Sequence, residues 1–293
     1  MRKFENWTIA FRKKNKSILE DCETPFNVIP NSWRYWRADP FVFDMGEETY
    51  LFAELYDRVL RRGVIGCTEL TETGSCEWKV ILKEPFHLSY PNVFEHNGII
   101  YMIPESYVAN EIRLYKSTMF PTDWEFVTAL SDACAVDSTM IKSDDKQYLM
   151  TQILNENENV LAVFKTDNRL ELSNMFTVSD IDHDNFRPAG NPFVLNGELF
   201  RPSQDCSESY GCALNIAKID RIGDNEYREH IVKKIHPDQI NTNTHQKYCG
   251  IHTYNFSDRY EVIDLKDYET DYFYPVMRVF WAVWRRIKRL TGK

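Results

Sequence analysis

The sequence predicts an all-β protein, a five-bladed β-propeller over residues 1–270 followed by a basic amphipathic helix over residues 271–293. Three observations lead to this prediction. A pattern of two apolar runs around a polar turn occurs five times at similar spacing, further strand-like segments follow most of the repeats, and the final segment is basic on an otherwise acidic chain. Together they indicate one large domain with an appended tail.

The repeat is clearest when the residue that opens the second apolar run serves as a reference. In "FVFDMGEETYLFAE", the reference Tyr50 has Phe43 seven residues before it and Glu54 four residues after it. Two apolar runs around a short polar turn predict a β-hairpin, and Asn-Gly at 97–98 and 196–197 is the strongest turn signal. Equivalent reference positions follow at intervals of 51, 47, 52 and 60 residues: Tyr101, Tyr148, Phe200 and Tyr260.

Additional strands are expected after these hairpins, in segments such as "GVIGCTEL", "EIRLYKS", "VLAVFKT" and "ALNIAKI". A four-stranded unit that recurs every ~40–50 residues is typical of a propeller blade, so five units predict five blades. The N-terminal segment "NWTIAF" is strand-like and is expected to complete the last blade. The alternative is a β-sandwich built from unrelated hairpins, which the shared spacing disfavours.

Composition restricts the partners and the compartment. Apolar residues make up 43% of the chain, no run of 18 apolar residues occurs, and the N-terminus lacks the apolar region of a secretory signal. The seven cysteines contain no C-x-x-C pair, so reduced thiols and a cytoplasmic location are expected. The net charge of -9 disfavours nucleic acid as a partner.

Two aspartates occupy matching places in the repeat. Asp39 and Asp137 each lie eleven residues before a reference position and open the first strand of a blade. Because the first strand of each blade lines the central channel, both carboxylates are expected near one mouth of it. Paired carboxylates at a cavity suit glycoside chemistry, in which one activates a nucleophile and the other protonates a leaving oxygen. The alternative role for each aspartate is a turn or a cap.

Other polar residues near the same mouth are candidates for substrate binding. Arginines there would keep one acid ionised or bind an anionic group. No cofactor is indicated and the histidines are expected to be hydrogen-bonded rather than metal ligands, although the acids leave room for a structural divalent cation in the channel. The catalytic candidates are Asp39, Asp137 and Glu105, and the substrate-binding candidates are Trp36, Glu54, His87, Arg187, Arg201, Gln204, Asp205 and His252.

Several long motifs carry a resemblance to a known family. "WRADPFVF", "EPFHLSYPNVFEHNGIIYMIPES", "VDST" and "LFRPSQDCS" resemble the propeller at the N-terminus of glucosamine inositolphosphorylceramide transferases and its bacterial relatives. The resemblance covers roughly residues 5–265 and implies a five-bladed propeller similar to family-43 glycoside hydrolases. In the transferases the propeller accompanies a separate catalytic domain.

The resemblance also implies roles for individual acids. It implies that Asp39 is a base on blade one and that Asp137 tunes pKa values from a middle blade. The clan places a glutamic acid later in the chain, where blade four of this sequence has Gln204 and Asp205 instead. Glu105 on blade two is then the remaining candidate for the acid.

The C-terminal segment "PVMRVFWAVWRRIKRL" has helical periodicity. Val276, Phe280 and Trp284 are among the residues that fall on one face, and arginines and lysines occupy the other. Such a helix suits an interfacial anchor on an anionic membrane. The alternative is a helix docked on the propeller through its apolar face.

These observations predict a cytoplasmic protein peripherally associated with the inner face of the membrane. The function expected first is cleavage or transfer of a glycosyl group in the synthesis of a surface glycan or glycolipid, with a glycan, glycolipid or sugar nucleotide as ligand. The alternative is a non-catalytic glycan-binding module that presents substrate to a partner glycosyltransferase.

Overall fold

A computed structural model describes residues 3–20, 23–143, 145–156, 159–178, 185–223 and 225–270, and the single residues 181 and 286. Within them the backbone forms five antiparallel sheets and two short 3₁₀ helices, Tyr107–Ala109 and Pro237–Gln239. The predicted all-β class and the five blades are confirmed. The predicted C-terminal helix at 271–293 lies outside the described residues apart from Arg286.

Each blade is one sheet whose strands follow each other outward from the channel. The strands are given in chain order with their bounds. Blade one consists of β3 (Tyr35–Met45), β4 (Glu48–Asp57), β5 (Arg62–Thr71), β6 (Gly74–Ser75) and β7 (Lys79–Leu82), and blade two consists of β8 (Ser89–His96), β9 (Ile99–Glu105), β10 (Ile112–Met119) and β11 (Asp123–Ser131). Blade three consists of β12 (Ala135–Ser143), β13 (Lys146–Ile153), β14 (Val160–Thr166) and β15 (Leu172–Val178), and blade four consists of β16 (Phe193–Leu195), β17 (Glu198–Asp205), β18 (Ala213–Ile222) and β19 (Tyr227–Ile235). Blade five combines two N-terminal strands, β1 (Lys3–Lys13) and β2 (Asn27–Val28), with two later strands, β20 (Tyr254–Phe256) and β21 (Tyr260–Thr270).

The ring is closed by the N-terminal strand, as the sequence predicts. β1 pairs antiparallel with β21 over its whole length, from Lys3 opposite Thr270 to Lys13 opposite Tyr260. The fifth sheet therefore has the order β2–β1–β21–β20 and combines both ends of the described chain. Closure in this way leaves no edge strand at the seam, which removes a site of unwanted strand pairing.

Five apolar clusters join the blades among the described residues. One cluster packs Phe41 and Phe52 of blade one against Tyr90 of blade two. The other four lie between blades two and three, three and four, four and five, and five and one. Since every neighbouring pair of blades shares a cluster, burial of apolar surface stabilises the ring as a whole.

The two ends of the channel differ in character. The hairpin turns lie at one end, where a cavity of about 590 Å³ is lined by residues such as Lys142 and Val194. The starts of the inner strands lie at the other end, which we call the mouth. The candidate acids lie there.

Two further observations concern the described part of the chain. Its six cysteines, which leave out Cys22, are free thiols. Its helices are all too short, or not apolar enough, to cross a bilayer.

Candidate functional site

A bulge recurs at one place in the inner strands of blades one, two and three. Asp39, Tyr90 and Asp137 each lie eleven residues before the reference residue of their blade, and the strand register shifts there. All three have left-handed backbone, with φ of 52°, 43° and 53°. Residues other than glycine seldom adopt this conformation, which costs about 1–3 kcal/mol and is concentrated at functional sites.

A second row of polar groups comes from the neighbouring strands, four residues after the reference position. Four of its five members are buried, and the fifth, Gln152, is partly buried. The row therefore places one carboxyl or carboxamide group from each blade around the channel. Its buried members are Glu54, Glu105, Gln204 and Asp264.

Asp39 is held by neighbours from two other blades. Its Oδ2 accepts the N–H of Tyr90 at 3.1 Å, and its Oδ1 accepts the hydroxyl of Thr253 at 3.1 Å. His252 Nε2 lies 3.5 Å from Oδ1. Burial raises the pKa of Asp39 to about 6, His252 opposes the rise and nearby carboxylates add to it. The group thus titrates close to neutral pH.

His252 lies between two carboxylates. Its Nδ1 is 2.7 Å from Asp264 Oδ2, and its ring stacks on Trp7 with centroids 3.7 Å apart. Burial by itself lowers the pKa of His252, but the charges of Asp264 and Asp39 outweigh burial and raise it. The two carboxylates therefore favour the protonated form of the ring, whose positive charge would offset part of the negative charge of the site.

Asp39, His252 and Asp264 each offer a possible metal-ligand atom, and these atoms lie within 4.8 Å of one another. They are therefore a candidate metal site. The two oxygens of Asp264 already accept the backbone N–H groups of Asp39, His252 and Thr253 at 2.9–3.1 Å. A metal bound there would compete with these hydrogen bonds and would need a neutral imidazole, whereas the flanking carboxylates raise the pKa of His252. The three residues therefore fit a hydrogen-bonded histidine better than a metal site.

Asp137 belongs to an ion-pair network across three blades. Arg187 Nε contacts its Oδ2, and Gln204 Nε2 donates to the same oxygen at 2.9 Å. Arg187 Nη2 also donates to Glu105 Oε2 at 3.2 Å. Burial raises the pKa of Asp137 to about 7, Arg187 opposes the rise, and Glu105 increases it. The guanidinium, 22% exposed, is the member of this network that faces solvent most.

Glu54 has a different environment. It has no arginine partner, its Oε1 is buried without a hydrogen bond, and His87 Nε2 lies 3.3 Å from that oxygen. His87 Nδ1 accepts the N–H of Gly63 at 2.9 Å, and burial lowers the pKa of His87 to about 4, so the ring is neutral with its proton on Nε2. Burial, with the nearby carboxylates, raises the pKa of Glu54 well above its usual value.

Two predicted site residues lie elsewhere. Arg201 Nη2 donates to Glu229 Oε1 at 2.6 Å and to the backbone oxygen of Asn185, away from the acids. Asp205 pairs with Lys234 at 2.5 Å and accepts the N–H of Ser207. Burial by itself raises the pKa of Asp205, but these two contacts outweigh it and lower the pKa to about 2. The structure does not bring either residue into the cluster.

Trp36 lies at the edge of the mouth rather than against the carboxylates. Its ring stacks on Tyr56, with centroids 4.6 Å apart and planes 7° apart. Tyr56 in turn lies 6.4 Å from His87. The pair therefore continues the site outward from Glu54.

The sequence analysis missed four residues that contact the predicted ones: Trp7, Tyr90, Thr253 and Asp264. Tyr90 and Asp264 were detectable, because each holds a matched place in the repeat. Tyr90 also donates or accepts at Thr139 Oγ1 at 2.8 Å and accepts the N–H of Gly190 at 2.7 Å. Trp7 comes from the closing strand, and no spacing rule connects it to the site.

Comparison with known proteins assigns the family. The family described as "Glucosamine inositolphosphorylceramide transferase 1, N-terminal" matches residues 22–278. The chain belongs to this family. Among curated members of the wider group, glucosamine inositolphosphorylceramide transferase 1 of Oryza sativa subsp. japonica is 31% identical over 203 residues, covering 66% of this chain and 27% of that protein. The Arabidopsis thaliana protein of that name is 30% identical over 203 residues, covering 66% and 26%. The chain thus spans about a quarter of the length of these relatives.

Solved structures support the fold of this family member. An α-L-arabinofuranosidase from Podospora anserina matches with a TM-score of 0.59 at 9% identity, covering 79% of this chain and 90% of that one. A thermostable family-43 glycoside hydrolase matches with a TM-score of 0.55 at 13% identity, covering 83% and 93%. The predicted likeness to family-43 propellers is therefore confirmed at the level of fold.

Proposed function

We propose that the channel of this family member binds the sugar part of a glycan, glycolipid or sugar nucleotide, and that its carboxyl groups cleave or transfer a glycosyl group. The observation that carries the proposal is the convergence of four buried carboxyl groups from three blades: Asp39, Glu54, Glu105 and Asp137. With pKa values of about 6 and 7, Asp39 and Asp137 titrate where acid–base catalysis at neutral pH requires.

Different environments suggest different roles for these groups. Asp39 acts as the base, and Asp137, which is paired with Arg187, tunes the pKa of Asp39. Glu105 is paired with Arg187, whereas Glu54 has no arginine beside it, and burial raises the pKa of Glu54 well above its usual value. We therefore give Glu54, rather than Glu105, the role of proton donor. Titratable groups with separated pKa values are the usual basis of such acid–base pairs.

The relatives' name supports the substrate class. Their name, glucosamine inositolphosphorylceramide transferase, contains a sugar and a lipid. Since the chain spans only about a quarter of those proteins, their activity is extended to it as part of this proposal. The mouth offers Arg187 for an anionic group and Trp36 with Tyr56 for stacking on a sugar ring.

A second candidate function is a glycan-binding module that presents substrate to a partner glycosyltransferase. Gln204 favours it, because this carboxamide donates to Asp137 at the place where the clan has a glutamic acid. A site without that acid can still hold a sugar. The two functions make the same prediction for binding and opposite predictions for turnover.

The test is a calorimetric screen of oligosaccharides, glycolipid headgroups and sugar nucleotides, followed by a turnover assay on any ligand found. We expect Asp39→Asn and Asp137→Asn to lower turnover by about 100-fold or more. Asp258→Asn, the same change in an exposed turn at the far end of the channel, is the control. Binding lost in both variants without turnover in the parent identifies the module. Unchanged binding and turnover in both variants overturns the site.

A further inference from the structure

Three apolar side chains project into solvent beside the mouth. Trp33 is 81% exposed, Val59 44% and Leu60 42%. Trp33 precedes β3, and the other two follow β4, so both loops lie at the mouth end of blade one. Single exposed aliphatic residues are common on protein surfaces, but tryptophan is on average highly buried. A tryptophan as exposed as Trp33, with apolar neighbours, indicates an interaction surface. We call Trp33, Val59 and Leu60 the blade-one rim.

Hydrogen bonds hold this rim in place. Asp57 Oδ1 accepts the N–H groups of Val59 at 2.8 Å and Leu60 at 2.9 Å, which fixes the turn. Arg34 donates to Asp57 Oδ2 through two nitrogens at 2.7 and 3.0 Å, and Arg58 N–H donates to Arg34 O at 2.9 Å. The two loops are thus tied together. A fixed turn cannot fold its apolar side chains back into the core, so they remain available to a partner.

The surroundings of the rim are basic and adjoin the end of β21. Arg58 Nη1 pairs with Glu269 Oε2 at 2.7 Å, and Glu269 is the last residue but one of that strand. Residues 278–293, which follow, carry six Lys/Arg and no acid. The end of β21, the last described strand before this basic stretch of the sequence, therefore lies beside the rim. Four arginines and fewer acids stand in or next to the two rim loops, and Arg34 and Arg58 are paired with Asp57 and Glu269; the other two arginines are Arg61 and Arg62.

We propose that the blade-one rim docks on an anionic lipid bilayer, with Trp33, Val59 and Leu60 entering the headgroup region. Tryptophan with aliphatic neighbours suits the membrane interface, and flanking arginines suit anionic lipid. Since the rim borders the mouth, docking turns the channel toward the membrane. This inference does not depend on whether the channel is catalytic.

The test uses the full chain and flotation with vesicles of phosphatidylcholine alone or with phosphatidylserine. We expect binding to the mixed vesicles, and binding at least tenfold weaker in the combined variant Trp33→Ser, Val59→Ser, Leu60→Ser. Val194→Ser with Met45→Ser is the control, because these exposed apolar residues lie at the opposite end of the channel. The control variant should bind like the parent. Melting temperatures verify that all variants are folded.

A second measurement separates the rim from the basic segment. Brominated lipid should quench part of the tryptophan emission of the parent, and less of it in Trp33→Phe. Equal vesicle binding by the rim variant and the parent would overturn the proposal and leave the basic segment as the anchor. Failure of the parent to bind either vesicle would overturn it as well. So would a concentration-dependent dimer that Trp33→Ser disrupts, which would make a second copy the occupant.

Discussion

At the scale of single residues, Glu54 and Glu105 hold the same place in successive blades but face different neighbours. Arg187 reaches Glu105, whereas Glu54 meets a neutral His87 and has an oxygen without a hydrogen bond. A buried carboxyl group without a cation is more stable with its proton. Equivalent positions in a repeat therefore need not have equivalent chemistry.

This difference predicts a pH-dependent stability. Because the folded-state pKa of Glu54 is raised, its contribution to stability is fully present below pH about 4.5 and is lost as pH rises toward the folded pKa. Glu54→Gln keeps the shape and removes the titration. The melting temperature of this variant relative to the parent should be nearly unchanged at pH 5 and clearly higher at pH 8. Each kcal/mol corresponds to about 2–4 °C in a domain of this size.

Glu47→Gln is the control for that measurement, since Glu47 is exposed in the turn at the other end of blade one. It should follow the parent at both pH values. A Glu54→Gln variant that follows the parent too would show that Glu54 is ionised in the folded protein and is not the proton donor.

The sequence predicted some members of the site and missed others for a geometric reason. Arg201 and Gln204 are three residues apart on β17, so they face opposite sides of the strand. Gln204 therefore meets Asp137, and Arg201 meets Glu229. Grouping them by proximity in sequence ignored that alternation. Tyr90 was missed because it is not an acid, although its spacing matches that of Asp39 and Asp137.

At the scale of secondary-structure elements, the hairpin register explains why the repeat was visible. A two-residue turn places Phe43 opposite Tyr50, and Phe94 opposite Tyr101, so a constant sequence spacing reports a constant pairing. Blade five departs from it. There Tyr254 pairs with Ile263, and Thr253 does not face Tyr260. The spacing locates that blade, but its strands pair in a different register because the turn between them is longer.

Close packing between β5 and the segment before β8 depends on one glycine. A Cβ on Gly63 would lie 2.2 Å from Leu88 O and 2.5 Å from Glu54 Oε1. Gly63→Ala should therefore lower the free energy of unfolding by about 1–3 kcal/mol in urea titration, because the backbone of Leu88 must move. Gly223→Ala is the matched control, with its nearest atom 4.0 Å away, and should change stability by less than about 0.5 kcal/mol.

An equal effect of the two glycine substitutions would mean that the strand interface yields at little cost. If Gly63→Ala alone lowers the free energy of unfolding, this variant should also change the pKa of Glu54, because the added methyl group would displace the Glu54 carboxyl group.

At the scale of the whole molecule, burial between every pair of neighbouring blades makes the ring the unit of stability. Closure could be predicted because edges of sheets are hazardous and because a spare strand stood at the N-terminus. The five interfaces could not, since which apolar residues meet across blades depends on the twist of each sheet. The prediction for the tail remains a prediction, as its residues lie outside the described part of the chain.

The tail hypothesis has its own test in vesicle flotation. The full chain should float with anionic vesicles, and a chain ending at Asp271 should float far less, since the six Lys/Arg of residues 278–293 are lost and each adds about 1 kcal/mol near an anionic surface. High salt should weaken binding without abolishing it, because apolar burial is not screened. Phe280→Ser with Trp284→Ser should release more protein than Arg285→Gln with Arg286→Gln. Equal flotation of the shortened chain would contradict the tail hypothesis and leave the blade-one rim as the anchor.

The pairing of β1 with β21 has a consequence for the order in which the molecule can be made. Of the described strands, β1 is synthesised first and has no partner until β21 has been synthesised, so its polar edge stays open while the blades between them are made, and such distant pairing forms slowly. Lys3 and Thr270 face each other in the finished blade, near enough for a short turn to join them. A circular permutant joined there and opened at the Asn196–Gly197 turn would pair both strands as an ordinary hairpin soon after synthesis. The delay before β1 pairs with β21 is therefore set by the order of the strands in the sequence, and not by the folded structure.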